Sequence, residues 1–143
     1  MSLAALITWV ITAGLGTYMV ATWRKHGGLG GDPQTTHLPP ARVFAHLGLA
    51  IAGLVVWIVF LATGAALWAW IAAADLILVA VLVGVMVRRW AIDGRAAMSG
   101  GATTSSRDLA EQHIARSPVV IHGIFAASTI VLVILAAAGV GAR

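Results

Sequence analysis

The chain has 143 residues, 60% of them hydrophobic and 10% charged, with a mean hydropathy of +0.96. A soluble domain of this size needs a far more polar skin, so the composition excludes an ordinary water-soluble globule and places the chain in lipid. The absence of cysteine excludes disulfides, thiolate metal sites, iron–sulfur clusters and c-type haem attachment. The formal net charge of +4 comes without a basic and aromatic stripe on a soluble surface, so no nucleic-acid partner is expected.

Four runs, about 2–22, 42–63, 66–88 and 119–140, are long enough to cross roughly 30 Å of hydrocarbon. Each must be helical, because only a helix satisfies its own backbone in lipid. The first lacks a basic leader, runs through Trp9 and Tyr18, and ends in Trp23-Arg24-Lys25 without a small-residue cleavage site, so it reads as a span and not as a signal peptide. Thr8, Thr12 and Thr17 with Gly14 and Gly16 give it a surface that a neighbouring helix or a flat ligand can approach closely. Trp9 and Trp23 are expected near the two water interfaces.

The connection 23–41 is rich in Gly and Pro and cannot be helical throughout; His26 within it reads as a solvated residue without a role. Pro39 and Pro40 start the second span, since proline is tolerated in the first helical turn. His46 falls about one turn beyond Arg42, and Gly48, Ala50 and Gly53 keep the following surface low. Thr63-Gly64 is so short a link that spans two and three must be antiparallel neighbours. Asp75 lies near the middle of span three, at a depth shared with Thr12, Ser128 and Thr129. A carboxylate there costs about 2.5 kcal/mol or more, so it is expected to face the bundle interior, as a hydrogen-bond clamp to those hydroxyls, a proton relay or an ion site.

The second long connection, 89–118, is expected to be flexible through SGGATTSS, with Ser106, Arg107, Asp108 and Glu111 capping a short interfacial helix. Ser117-Pro118 reads as N-cap and first-turn proline of the fourth span. Arg24, Lys25 and Arg42 sit beside one connection, and Arg88, Arg89, Arg95, Arg107 and Arg116 beside the other; the opposite side carries only Arg143. The positive-inside rule therefore puts both long connections in the cytoplasm and both termini outside. One lysine against eight arginines, with abundant Ala, Gly and Val, points to a GC-rich bacterial genome and so to a multi-pass protein of a bacterial inner membrane.

A repeat organises the whole. HLPPARVFAH (37–46) and HIARSPVVIH (113–122) each hold two histidines at the same spacing, so that His37 matches His113, His46 matches His122 and Val43 matches Val119. The expected fold is all-α, an integral membrane four-helix bundle made of two parallel, pseudo-symmetric hairpins, N-out and C-out. His46 and His122 then reach the same depth on equivalent helices, and a facing pair of neutral imidazoles supplies both axial ligands of a b-type haem. Gly16 and Gly84 lie at that depth and leave room for the macrocycle, while Arg42 and Arg116, with Arg88 and Arg89, stand at the rim where the haem carboxylates need cations. His37 and His113 are open to several roles: ligands of a second haem, a transition-metal site with Glu111 and Asp108, a propionate hydrogen bond, or solvated loop residues.

This arrangement resembles bis-histidine b-type membrane cytochromes, including the haem-bearing anchors of respiratory complexes. LPPARVFAHLGLAIAGLVVWIVFLATG and HIARSPVVIHGIFAASTIVLVILAAAGVG together also look like small four-span membrane proteins of actinobacteria. The first resemblance implies electron transfer, or an accessory subunit of a larger membrane redox complex or a homo-oligomer within the lipid bilayer. It departs from two-haem cytochromes in having no histidine near the outer face. Two other classes compete: a metal or small-ion transporter using His37, His46, His113, His122 and Asp75, and a non-catalytic membrane scaffold. No nucleophile triad, phosphate-binding Gly loop or catalytic carboxylate pair occurs, so an independent enzyme is not expected.

Overall fold

The computed structural model describes residues 1–98 and 109–141. Four helices carry the fold: α1 (Ser2–Lys25), α2 (Pro40–Thr63), α3 (Ala66–Met98) and α4 (Arg116–Ala137). Short 3-10 turns form at Gly28–Gly30 and Ala110–His113, and no strand occurs among the described residues. All four helices are long and apolar enough to cross a membrane. At most 22% of the most apolar stretch of any of them is buried inside the protein, so the apolar surface faces outward, as lipid requires.

Two boundaries differ from expectation. α3 continues ten residues past Arg88, because leaving the hydrocarbon ends the hydrophobic run but not the helix. Arg89 and Asp93, one turn apart, form a 3.5 Å ion pair along this extension. α4 begins at Arg116 behind Ala115, and Ser117 makes no cap; Pro118 still falls in the first turn. α2 starts as the prolines predict, with Pro39 before the helix and Pro40 as its first residue. Of the expected interfacial helix, Ala110–His113 forms a single turn, while Ser106, Arg107, Asp108, the SGGATTSS run and Arg143 lie outside the described residues.

α1 packs along α4 and α2 along α3; α3 touches α4 less, α1 touches α2 least among neighbours, and α2 and α4 lie across the diagonal. Exchanging the two hairpins carries the α1/α4 pair onto the α3/α2 pair, the pattern a pseudo-two-fold bundle demands. Met1 sits beside Gly141, so both termini share one end, and the connections share the other, the loop end.

The core is split. Toward the terminal end, Ala5, Ala69, Ala72, Ala73 and Ala137 let the helices close around Trp9 and Trp57. At the loop end a second cluster joins Trp23, Leu38, Val43 and Ala110. Trp9 and Trp23, expected near the water interfaces, face the protein interior: they are 3% and 2% exposed, and Trp23 donates its indole N–H to Thr36 Oγ1 at 3.0 Å. Trp70, by contrast, is exposed near the terminal end. Gly28 lies against the Trp23 indole, where a Cβ would overlap the ring. Gly28→Ala is expected to lower the unfolding midpoint by the equivalent of about 1–3 kcal/mol in a detergent melt followed by circular dichroism. Gly30→Ala, with open space around it, serves as the neutral reference; equal midpoints for the two variants would refute the packing claim.

Candidate functional site

Between the two clusters the bundle changes character. No residue is buried on α1 between Trp9 and Trp23, on α2 between Val43 and Gly53, on α3 between Val79 and Asp93, or on α4 before Thr129. On α2 alone this layer is nine residues deep, about 14 Å at the helical rise. His46 and His122 project into this layer. Each stands six residues past the first residue of its helix, Pro40 or Arg116, so both lie about 9 Å from the helix start.

The two imidazoles approach each other across the diagonal with ring centroids 6.5 Å apart and planes at 58°. One metal ion held in line by two imidazole nitrogens, at bonds of about 2.0–2.1 Å, sets the centroids about 6.3 Å apart. His122 Nδ1 lies 3.0 Å from the Thr12 carbonyl, which only accepts, so in the neutral ring Nδ1 carries the proton and the Nε2 lone pair is left for a ligand. Gly16 makes room for that ring: a Cβ there would sit 3.3 Å from His122 Cε1. His46 Nδ1 is buried without a partner, one of three such atoms among the described residues, with Trp57 Nε1 and Asp75 Oδ2.

The other expected participants are less closely engaged. Gly84 falls in the same layer but is exposed, and a Cβ there would touch nothing within 4 Å, so it packs on neither imidazole. Arg42 is half-buried one turn ahead of His46. Arg116 lines a crevice between α3 and α4 with Trp90, Arg95, Gln112 and Val120.

Asp75 faces the interior, as its cost in lipid requires, yet it does not clamp the hydroxyls at its depth. It points at α2, where a Cβ on Gly53 would overlap its Oδ2. Thr12 and Ser128 donate back to their own helices, at Thr8 O and Ile124 O, and Thr129 Oγ1 bonds Thr8 Oγ1 at 2.9 Å and Phe125 O at 2.8 Å. The clamp fails because the carbonyls one turn back take the Thr12 and Ser128 hydroxyls, while the Phe125 carbonyl and Thr8 on α1 take the Thr129 hydroxyl.

At the loop end the matched outer histidines part company. His37 Nδ1 lies 2.9 Å from Asp93 Oδ2, and the His37 backbone N–H donates to Glu111 Oε1 at 2.7 Å. Thr36 Oγ1, which accepts from Trp23, donates to Glu111 Oε2 at 2.7 Å, and Trp90 Nε1 donates to the Glu111 carbonyl. His113 instead stacks on His26, with centroids 3.9 Å apart and planes 12° from parallel. His26, read from sequence as a bystander, therefore has a partner, and the equivalence of His37 and His113 ends with their spacing. Asp93 and Thr36 were not singled out from sequence; the one available signal was Asp93 standing one turn after Arg89.

No protein-family model matches this sequence, and no curated protein or solved structure is significantly similar to it. Fold and composition define the class: a multi-pass α-helical membrane protein with four spans in one bundle.

Proposed function

We propose that the protein binds one haem b between His46 and His122 and carries electrons in a bacterial inner membrane, alone or as an accessory subunit of a larger membrane redox complex. The observation that carries this reading is the layer without buried residues, into which the two imidazoles project at matched depth and 6.5 Å apart. The donor set agrees with it: the Thr12 carbonyl holds His122 in the tautomer a metal ligand needs, and the bare Nδ1 of His46 leaves that ring free to take its angle. Gly16 seats the His122 ring against α1, while Arg42 and Arg116 supply cations at the loop end for the propionates. The arginine bias of the connections puts that end in the cytoplasm. His46 and His122 are the residues that would hold the haem, which would supply one-electron transfer.

An absorption spectrum of the detergent-purified protein tests the reading. The expected result is a Soret band that sharpens on dithionite reduction with separate α and β peaks. His46→Ala is expected to lose this low-spin spectrum, and added imidazole to restore it. A folded, wild-type protein expressed with ample haem that shows no Soret absorbance would refute the proposal.

A further inference from the structure

We propose that His37, Asp93 and Glu111 form a divalent transition-metal site at the loop end, distinct from the histidine pair in the membrane and independent of the haem reading. One ligand atom from each residue lies within 4.8 Å of the other two. The side chains come from three separate segments: the connection before α2, the extension of α3 and the turn Ala110–His113. One imidazole with two carboxylates is a donor set for Mn2+, Fe2+ or Zn2+, and three protein ligands leave a position for water.

Burial and charge carry the inference beyond proximity. Glu111 is 0% exposed and Asp93 9%. Among the described residues no lysine or arginine reaches the Glu111 carboxylate, and the donors to its oxygens there are the Thr36 hydroxyl and the His37 backbone N–H. Asp93 has His37 at 2.9 Å and, at 3.5 Å, the half-exposed Arg89. Among the described residues these two sequestered carboxylates face one half-exposed arginine, and a cation between them would neutralise the negative charge that is left. The donors on Glu111 also fix its orientation, as partners behind a metal ligand do. Moving the imidazole proton of His37 from Nδ1 to Nε2 frees the lone pair already aimed at Asp93. His26 and His113 offer no such site: their stacked, near-parallel rings do not converge on one ion, and among the described residues no third donor group joins them.

The test is a titration of zinc chloride into chelator-treated, full-length protein in detergent, followed by calorimetry and by the thermal midpoint. The expected result is one Zn2+ per chain with a raised midpoint. In Glu111→Gln the affinity falls at least about 100-fold and the midpoint no longer responds, while His26→Ala behaves as wild type. If Glu111→Gln does not fold, Asp93→Asn, at the edge of the cluster, carries the same expectation. Absence of stoichiometric zinc, or binding unchanged in Asp93→Asn, overturns the site. The same titration on His122→Ala must retain the ion; its loss there would move the metal to the membrane pair and overturn the proposal too. The Soret band of each sample reports the haem reading separately.

Discussion

A leucine at position 53 is expected to be the most damaging single change within the spans, lowering stability by about 3 kcal/mol through overpacking. Gly53 is buried where α2 packs on Asp75 of α3, and a bare Cβ there would overlap Asp75 Oδ2, lie 3.0 Å from Asp75 Cγ and 3.1 Å from Trp9 Cζ2. Neither neighbour has an escape: Trp9 is locked among Ala5, Ala72 and Trp57, and moving Asp75 aside carries a carboxylate toward lipid. The new side chain must therefore push α2 away from α3, one of the two tightest helix pairs in the fold. Gly48→Leu is the control, since that position is exposed with nothing within 4 Å. Equal unfolding midpoints for the two variants in detergent would show that the α2/α3 approach is not as close as described.

Asp75→Leu is expected to act in the opposite direction and raise stability by about 1–3 kcal/mol. A buried polar atom without a partner carries its full desolvation cost, and replacing it with an apolar group of similar shape removes that cost. Leucine has the same branching as aspartate, although its methyls are larger, so Asp75→Asn is the companion variant that keeps the volume and discards the charge. A fall in the midpoint for both would mean that Asp75 makes a stabilising contact after all. A gain in stability joined to a loss of electron transfer would mark Asp75 as a group kept for function against its structural cost.

What could be read from the sequence follows from what hydropathy and spacing measure. The four spans and the antiparallel α2/α3 pair were legible because lipid imposes length and apolarity on every crossing helix. The shared depth of His46 and His122 was legible because each closes one of two matched ten-residue segments, 37–46 and 113–122, that carry a proline in the first helical turn. Facing was harder: Trp9 and Trp23 have the composition of interfacial residues, and only packing against Ala5 or Gly28 reveals that they point inward. The Thr12 carbonyl behind His122 has no signature, since every residue carries one. The cluster of His37, Asp93 and Glu111 was hidden because its members meet only after three segments fold together, and because α3 outruns its hydrophobic stretch to bring Asp93 there.

The interleaved pairing of helices also bears on how the chain is assembled. α2 meets its main partner, α3, across the two residues Gly64 and Ala65, whereas α1 finds its own only in α4, the fourth helix along the chain. During synthesis the first helix must wait in the bilayer, loosely attached to the second, until the fourth is threaded in. A chain interrupted before Arg116 would strand α1 without its main neighbour and with no counterpart for His46, so the packing of α1 and the meeting of the two imidazoles wait on the same helix.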